Sequence, residues 1–267
     1  MKLINSTNIE ERRPPALLIA RVRCLYFLIF WEGFFMFSYY GSKSKIVNCY
    51  PTPKYGKIIE PFAGSARYAL KYFDREIILV DKYETIVAVW NYLINASEKE
   101  ILALPKMKGG DSIRNYTYLT DVEKSFLGFL VCAGSSGGRM NVGSMKGINV
   151  EGDLKKIAKN LFKIRHWKVF LSSYDDIPNE EATWFIDPPY QFGGHEYKCS
   201  NKDLDFNKLA EWCKERQGQA IVCENTKANW LDFKPVKKMQ GTMFKTTEAI
   251  WSNHKTNYDA VQQTLQF

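Results

Sequence analysis

The chain has 267 residues, of which 45% are hydrophobic and 25% charged, a balance that excludes disordered and collagen-like classes and leaves enough length to bury a core without staples. Lys and Arg number 37 against 29 Asp and Glu, a formal charge of +8, which favours an anionic partner. Six cysteines form no C-x-x-C pair and three histidines are scattered, so a zinc ribbon, a redox dithiol and a His-based metal site are set aside and no metal is expected.

Residues 16 to 37 read ALLIARVRCLYFLIFWEGFFMF. The longest uncharged run, Cys24 to Trp31, has eight residues, far short of the ~20 that span a bilayer. Bulky Phe34 to Phe37 do not make a signal cleavage site, so no membrane contact is expected. Trp31-Glu32-Gly33 can be encoded as TGG-GAR-GGN, a ribosome-binding sequence two codons ahead of Met36. Residues 1–35 are therefore expected to be a translated leader before a native start at Met36; a helix capping the domain is the alternative.

From Lys57 the pattern alternates strands and helices. Lys57 to Glu60 is a short apolar strand entering a Gly/Ala/Ser turn, and Ser65 to Tyr72 has helical spacing. Glu76 to Val80 is a second strand ending at Asp81, followed by a helix over Thr85 to Asn95 with Ile86, Val89, Trp90 and Leu93 on one face. Residues 105–150 are glycine-rich and read as a loop-rich insertion between two halves of a sheet. Asp153 to Arg165 resumes a helix with Leu154, Ile157, Ala158 and Leu161 inward. Thr183 to Ile186 is a buried strand, Phe206 to Arg216 a helix, and Gln219 to Cys223 and Ala249 to Trp251 are strands. The alternation predicts a mostly parallel sheet covered on both faces. Arg139 to Lys168 carries eight Lys/Arg against two acids. Arg139, Lys146, Lys155 and Lys159 are therefore expected to meet phosphates.

The strongest chemical signal is Asp187-Pro188-Pro189-Tyr190, at the C-terminal end of the strand Thr183 to Ile186. In an open parallel sheet ligands bind at that edge. The prolines stiffen the turn, and Pro188 has no N–H, so the turn presents acceptors. A carboxylate, a carbonyl and an aromatic face suit a planar base with an exocyclic NH2, which donates two hydrogen bonds while its ring stacks. A second signal is Glu60-Pro61-Phe62-Ala63-Gly64-Ser65-Ala66, whose small residues let backbone approach a ligand at a helix N-terminus. It is neither a P-loop nor G-x-G-x-x-G. Asp81, 21 residues after Glu60, stands where an acid accepts from ribose hydroxyls. Together these point to a nucleoside-containing cofactor other than a dinucleotide. A third string, Tyr39-Tyr40-Gly41-Ser42-Lys43, offers Lys43 to a cofactor carboxylate and Tyr39 as packing beside it.

In these motifs and their order the chain resembles Dam-type N6-adenine DNA methyltransferases of the alpha group, especially their bacteriophage members, from about Phe37 to Asn253. The carriers are the aromatic-x-G-[GS]-K segment (Tyr39 to Lys43), EPFAGSA (Glu60 to Ala66), Asp81 and DPPY (Asp187 to Tyr190). The resemblance implies a Rossmann-like, S-adenosylmethionine-dependent methyltransferase sheet over residues 36–100 and 165–267, with an inserted target-recognition domain over 101–164. It implies S-adenosylmethionine at Tyr39, Lys43, Glu60, Phe62, Gly64, Ser65, Asp81 and Asp187. It further implies catalysis by Asp187, Pro188, Pro189 and Tyr190 on a flipped adenine, double-stranded DNA as partner, a monomer, and a place in the cytoplasm of a bacterial host. Where cellular members carry an FNGL-x-RYN-like stretch, this chain reads Phe126-Leu-Gly-Phe-Leu-Val-Cys-Ala-Gly134. An RNA adenine methyltransferase and a nucleic-acid-binding protein with a dead methylase fold are the competing readings. Tyr174, Asp175 and the late segment Thr247 to Asn253 are secondary candidates for the site.

Overall fold

A computed structural model describes residues 35–39, 41–131, 149–193, 197–240 and 245–258. The leader expected over residues 1–35 falls, except for Phe35, outside the described residues, as do Arg139 and Lys146.

The described residues form seven strands: β1 (Lys57–Glu60), β2 (Glu76–Asp81), β3 (Lys168–Leu171), β4 (Ala182–Ile186), β5 (Gly218–Asn225), β6 (Lys234–Gln240) and β7 (Lys245–Ser252). Six α-helices accompany them: α1 (Arg67–Lys71), α2 (Glu84–Asn95), α3 (Glu98–Ala103), α4 (Asp121–Leu130), α5 (Val150–Asn160) and α6 (Phe206–Lys214). One sheet runs in the order β3-β2-β1-β4-β5-β7-β6. Neighbours from β3 to β5 pair in parallel, while β7 is antiparallel to both β5 and β6. The expected Rossmann-like sheet is therefore present. The chain works outward from β1 to β2 and β3, then returns to β4 on the other side of β1. That reversal opens a crevice at the C-terminal ends of β1 and β4.

Burial follows the strand pattern. Ala182 to Ile186 are all buried, and β5 is buried at every position from Gln219 to Asn225, as expected for central strands covered on both faces. The turn into β5 requires glycine. Gly218 has φ of 90°, and a Cβ there would lie 2.2 Å from the Ala182 carbonyl oxygen. On α2, Ile86, Val89, Trp90 and Leu93 are fully buried, each burial stabilising by roughly 1.5–3 kcal/mol.

Several elements differ from the sequence expectation. The helix expected from Ser65 begins at Arg67, because Gly64 and Ala66 take φ of 46° and 45° and belong to the turn. The helix expected from Asp153 begins at Val150, where the Asn149 side chain accepts from the Gly152 N–H, and gives way to a 3-10 turn at Leu161–Lys163. The helix after Phe206 stops at Lys214. Residues 105–150 are not simply loop: α4 lies within them, closed by a capping box in which Thr120 and Glu123 bond reciprocally. Its face Phe126 to Leu130 is buried. The Phe129 ring stacks on Phe37 at 5.4 Å and meets the edge of Tyr39 at 5.7 Å. The described part of the stretch that stands in place of FNGL-x-RYN, Phe126 to Val131, is thus core, and it braces the segment carrying Tyr39 and Lys43. Among the described residues no helix is long and apolar enough to cross a membrane.

Candidate active site

The crevice at the C-terminal ends of β1 and β4 deepens into a cavity of about 280 Å³. Its first wall is the turn after β1. Glu60 ends the strand 2% exposed, and its Oε1 accepts from the Ala69 N–H at 2.6 Å, tying α1 to the strand. Burial pushes this carboxyl well above the usual range, an effect only partly offset by that bond. Asp81 closes the turn from β2: its Oδ2 accepts from the Gly64 N–H at 3.0 Å and its Oδ1 from the Tyr83 N–H at 2.8 Å. The Gly64 carbonyl accepts from Trp90 Nε1 at 2.9 Å. A Cβ on Gly64 would come within 3.3 Å of the Tyr39 ring, so the glycine lets Tyr39 lie against the turn. Phe62 stacks on Tyr174 at 5.5 Å, and both face the cavity, as do Ser65 and Asp175.

The second wall is the turn after β4. Lys43 Nζ lies 2.7 Å from Asp187 Oδ1, donates to the Gly41 carbonyl at 3.1 Å and sits 4.7 Å from the centre of the Tyr190 ring. Burial raises the Asp187 carboxyl to about 6; Lys43 pulls it down and Glu248 adds to the rise. For Lys43 burial acts the other way, but Asp187 and Glu248 outweigh it and its pKa is raised. The expected partner of Lys43 was a cofactor carboxylate; its partner here is the head of the acceptor turn. Tyr190 was expected to offer a free aromatic face, and the Lys43 ammonium lies over that ring.

Behind this turn is a support that the sequence did not reveal. The Tyr190 hydroxyl donates to Glu248 Oε1 at 2.6 Å, and the Tyr50 hydroxyl donates to the same oxygen at 2.6 Å. Burial holds both phenols well above their ordinary pKa, so both are donors at neutral pH. Glu224, at the end of β5, accepts from the Gln191 N–H at 2.5 Å and from Trp230 Nε1 at 3.3 Å. Burial raises its carboxyl to about 7 against the pull of these bonds. Asn225 Nδ2 donates to the Phe192 carbonyl at 3.0 Å. The residues after Pro189 are therefore fixed from β5 and β7. From the late segment Thr247 to Asn253, Glu248 reaches the acceptor turn through Tyr190.

Every expected cofactor residue, with Asp187 and Pro189, lines this one cavity, whereas Pro188, which is buried, and Tyr190 are not in its lining. Sequence reasoning missed its third wall, the stretch from Tyr197 to Lys208 after the acceptor turn, which has no motif to mark it. The lining holds six carboxylates and four basic side chains. In a chain of charge +8, that is a local reversal suited to a cationic ligand. Lys155 and Lys159 are exposed on α5 and are absent from the lining; Lys155 pairs with Glu151 at 2.8 Å. Among the described residues no group of three His, Cys, Asp or Glu is placed to hold a metal ion.

No protein-family model matches the sequence, nor does any curated protein. Similar solved structures include a conserved hypothetical protein from Streptococcus pyogenes (TM-score 0.32, 10% identity, covering 75% of this chain and 88% of the other). They also include a candidate methyltransferase, yhhF, from Escherichia coli (0.32, 10%, 86% and 84%) and a candidate methylase, HI0767, from Haemophilus influenzae (0.32, 11%, 74% and 80%). The fold is read from the strand order itself and not from these likenesses.

Proposed function

We propose that the chain is a site-specific DNA methyltransferase acting on N6 of an adenine extruded from the duplex, with S-adenosylmethionine as donor. One observation carries this reading: the glycine turn with Asp81 and the acceptor turn with Asp187 open into one cavity at the sheet's switch point. The donor set fits the cofactor. Asp81 has spent one lone pair per oxygen on backbone N–H groups, which leaves acceptor capacity for ribose hydroxyls. Tyr39, Phe62, Gly64 and Ser65 supply apolar surface and close backbone approach, and the acidic lining suits a sulfonium. When bound, the cofactor supplies an activated methyl group.

The chain's own groups do the rest. Adenine N6 is a weak nucleophile because its lone pair is delocalised into the ring. Hydrogen bonds from the amine to Asp187 and to the Pro188 carbonyl favour a pyramidal nitrogen and stabilise the positive charge that builds there. Lys43 keeps Asp187 ionised and therefore an acceptor. Tyr190, fixed by Glu248, and the rigid prolines hold the base in one position. With S-adenosylmethionine held there, its sulfonium would supply the methyl group, and Asp187 would take up the surplus N6 proton or pass it to water.

The test is methyl transfer from tritiated S-adenosylmethionine into unmethylated plasmid DNA, with the modified nucleoside identified by chromatography. The expected product is 6-methyladenine, absent with Asp187→Ala. Label found only in structured RNA, or only in cytosine, overturns the reading.

A further inference from the structure

The reversed strand β7 brings a second feature to the catalytic edge. Because β7 runs against β5 and β6, the C-terminal ends of β5 and β6 lie at the same edge as the acceptor turn. Asn225, Glu248 and Lys237 stand in one row across three strands. Lys237 is thus the cross-strand neighbour of the residue that fixes Tyr190. Lys238, opposite Thr247, turns to the other face of the sheet. Lys227 follows the end of β5, its N–H bonded to Asn225 Oδ1 at 2.9 Å. Lys45 reaches the same place from the segment carrying Lys43, its carbonyl 3.5 Å from Lys237 Nζ. Lys45, Lys227 and Lys237 are exposed, and none of the three forms an ion pair among the described residues. The carboxylates beside them are occupied: Glu248 by two phenols and Asp232 by Lys234 at 2.6 Å.

We propose that Lys45, Lys227 and Lys237 form a phosphate-binding surface that carries the backbone of the duplex beside the extruded base. The proposal rests on the reading of nucleic acid as substrate. The distance is suitable: β6 lies three strands from β4, roughly 14 Å at ~4.8 Å per strand, close to the ~12 Å width of a major groove. Lysines on an edge strand also discourage sheet-to-sheet pairing. That accounts for Lys237 and Lys238, which with Pro235 and the irregularity at Pro235/Lys237 blunt the β6 edge. It does not account for Lys45 or Lys227, which lie off that strand. A surface that neutralises phosphates releases counterions, and each lost contact flattens the salt dependence of binding by about 0.9 in log K against log salt.

The experiment measures binding of the full chain to a fluorescein-labelled 30-base-pair duplex by anisotropy, over a series of salt concentrations. Lys237→Ala is expected to weaken binding about threefold and to reduce the slope by about 0.9. Lys45→Ala/Lys227→Ala, which leaves the strand edge untouched, is expected to weaken it about tenfold and to reduce the slope by about 2. Wild-type slopes in both variants overturn the proposal, whether or not the enzyme makes 6-methyladenine. Failure of methyl transfer with the slopes reduced overturns the catalytic reading and leaves the surface standing. Loss of binding to phosphatidylserine vesicles in both variants, with the duplex slope unchanged, assigns the surface to a membrane and also overturns the proposal.

Discussion

Replacing Lys43 by Met tests whether Asp187 works as an ionised acceptor. The ammonium lies 2.7 Å from the carboxylate, and burial already lifts Asp187 to about 6 with the lysine in place. A carboxyl that must be ionised is inactive below its pKa, so kcat/KM of the wild type rises with pH through about 6 and then levels. An opposite charge at this range lowers a carboxyl's pKa by roughly 1 to 3. Losing it moves the limb upward by about that amount, toward 7 to 9. With the limb near 8, the ionised fraction at pH 7 falls from about 90% to about 10%. The variant then loses about tenfold at pH 7 and recovers near pH 9. Lys43→Arg keeps the charge and should keep the limb near 6. The assay is the initial rate of methyl transfer into plasmid DNA at subsaturating substrate from pH 5 to 9, which reports the free enzyme. A limb that stays at about 6 in the methionine variant, or moves downward, refutes this account of Asp187.

Other substitutions probe the frame around the pair. Glu248→Ala strips the acceptor from two buried phenols, each worth about 1–3 kcal/mol when left unmade. Chemical denaturation should show a loss of roughly 2–5 kcal/mol, and kcat should fall ten- to a hundredfold through misplacement of Tyr190. Glu248→Gln keeps an acceptor and should lose much less; equal losses in both variants would show that the bond to Tyr190 is not the cause. Asp81→Asn leaves one of two backbone N–H groups without its carboxylate oxygen, so calorimetry should show S-adenosylmethionine binding weakened at least tenfold, with stability lowered by about 1–3 kcal/mol. Gly218→Ala places a Cβ against the Ala182 backbone at positive φ. It should lose about 3 kcal/mol or more, roughly 6 to 12 °C in Tm. Asp187 and Glu224 both have carboxyls raised above their ordinary values, to about 6 and about 7. The folded state therefore binds more protons than the unfolded chain above pH ~4, and their contribution to stability falls as pH rises to about 7. Melting curves of Glu224→Gln should show a shallower decline across that window, and an unchanged slope would sink the assignment.

β1, β2, β4 and β5 were legible because each is an apolar run bounded by turn residues, and α2 because its apolar face repeats at helical spacing. β3 and β6 were not. Lys168 to Leu171 lies at the sheet edge with three of four residues exposed, so it has no buried-strand signature. Lys234 to Gln240 contains Pro235 and three lysines, a composition tolerated only at an edge. α4 carried a readable signal, Thr120-x-x-Glu123 before an apolar stretch. The glycines that follow obscured it.

The two turns of the site were legible for a different reason. Positive φ at Gly64, a carboxylate able to receive two N–H groups, and paired prolines are local requirements that show in local composition. The residue that holds Tyr190 is a long-range fact. Glu248 reaches the acceptor turn only because β7 runs antiparallel beside β5 in the register that sets it opposite Asn225. A slip of one residue would turn its carboxylate to the other face of the sheet and leave Tyr50 and Tyr190 without their acceptor. No spacing in the sequence records that register, since Tyr50 and Glu248 are 198 residues apart. The same reversal sets Lys237 and Lys238 at the catalytic edge and not at the far end of the sheet. The one strand that breaks the parallel pattern therefore both stiffens the acceptor turn and sets Lys237 of β6 beside it, so a change in its register should impair base positioning and duplex binding together.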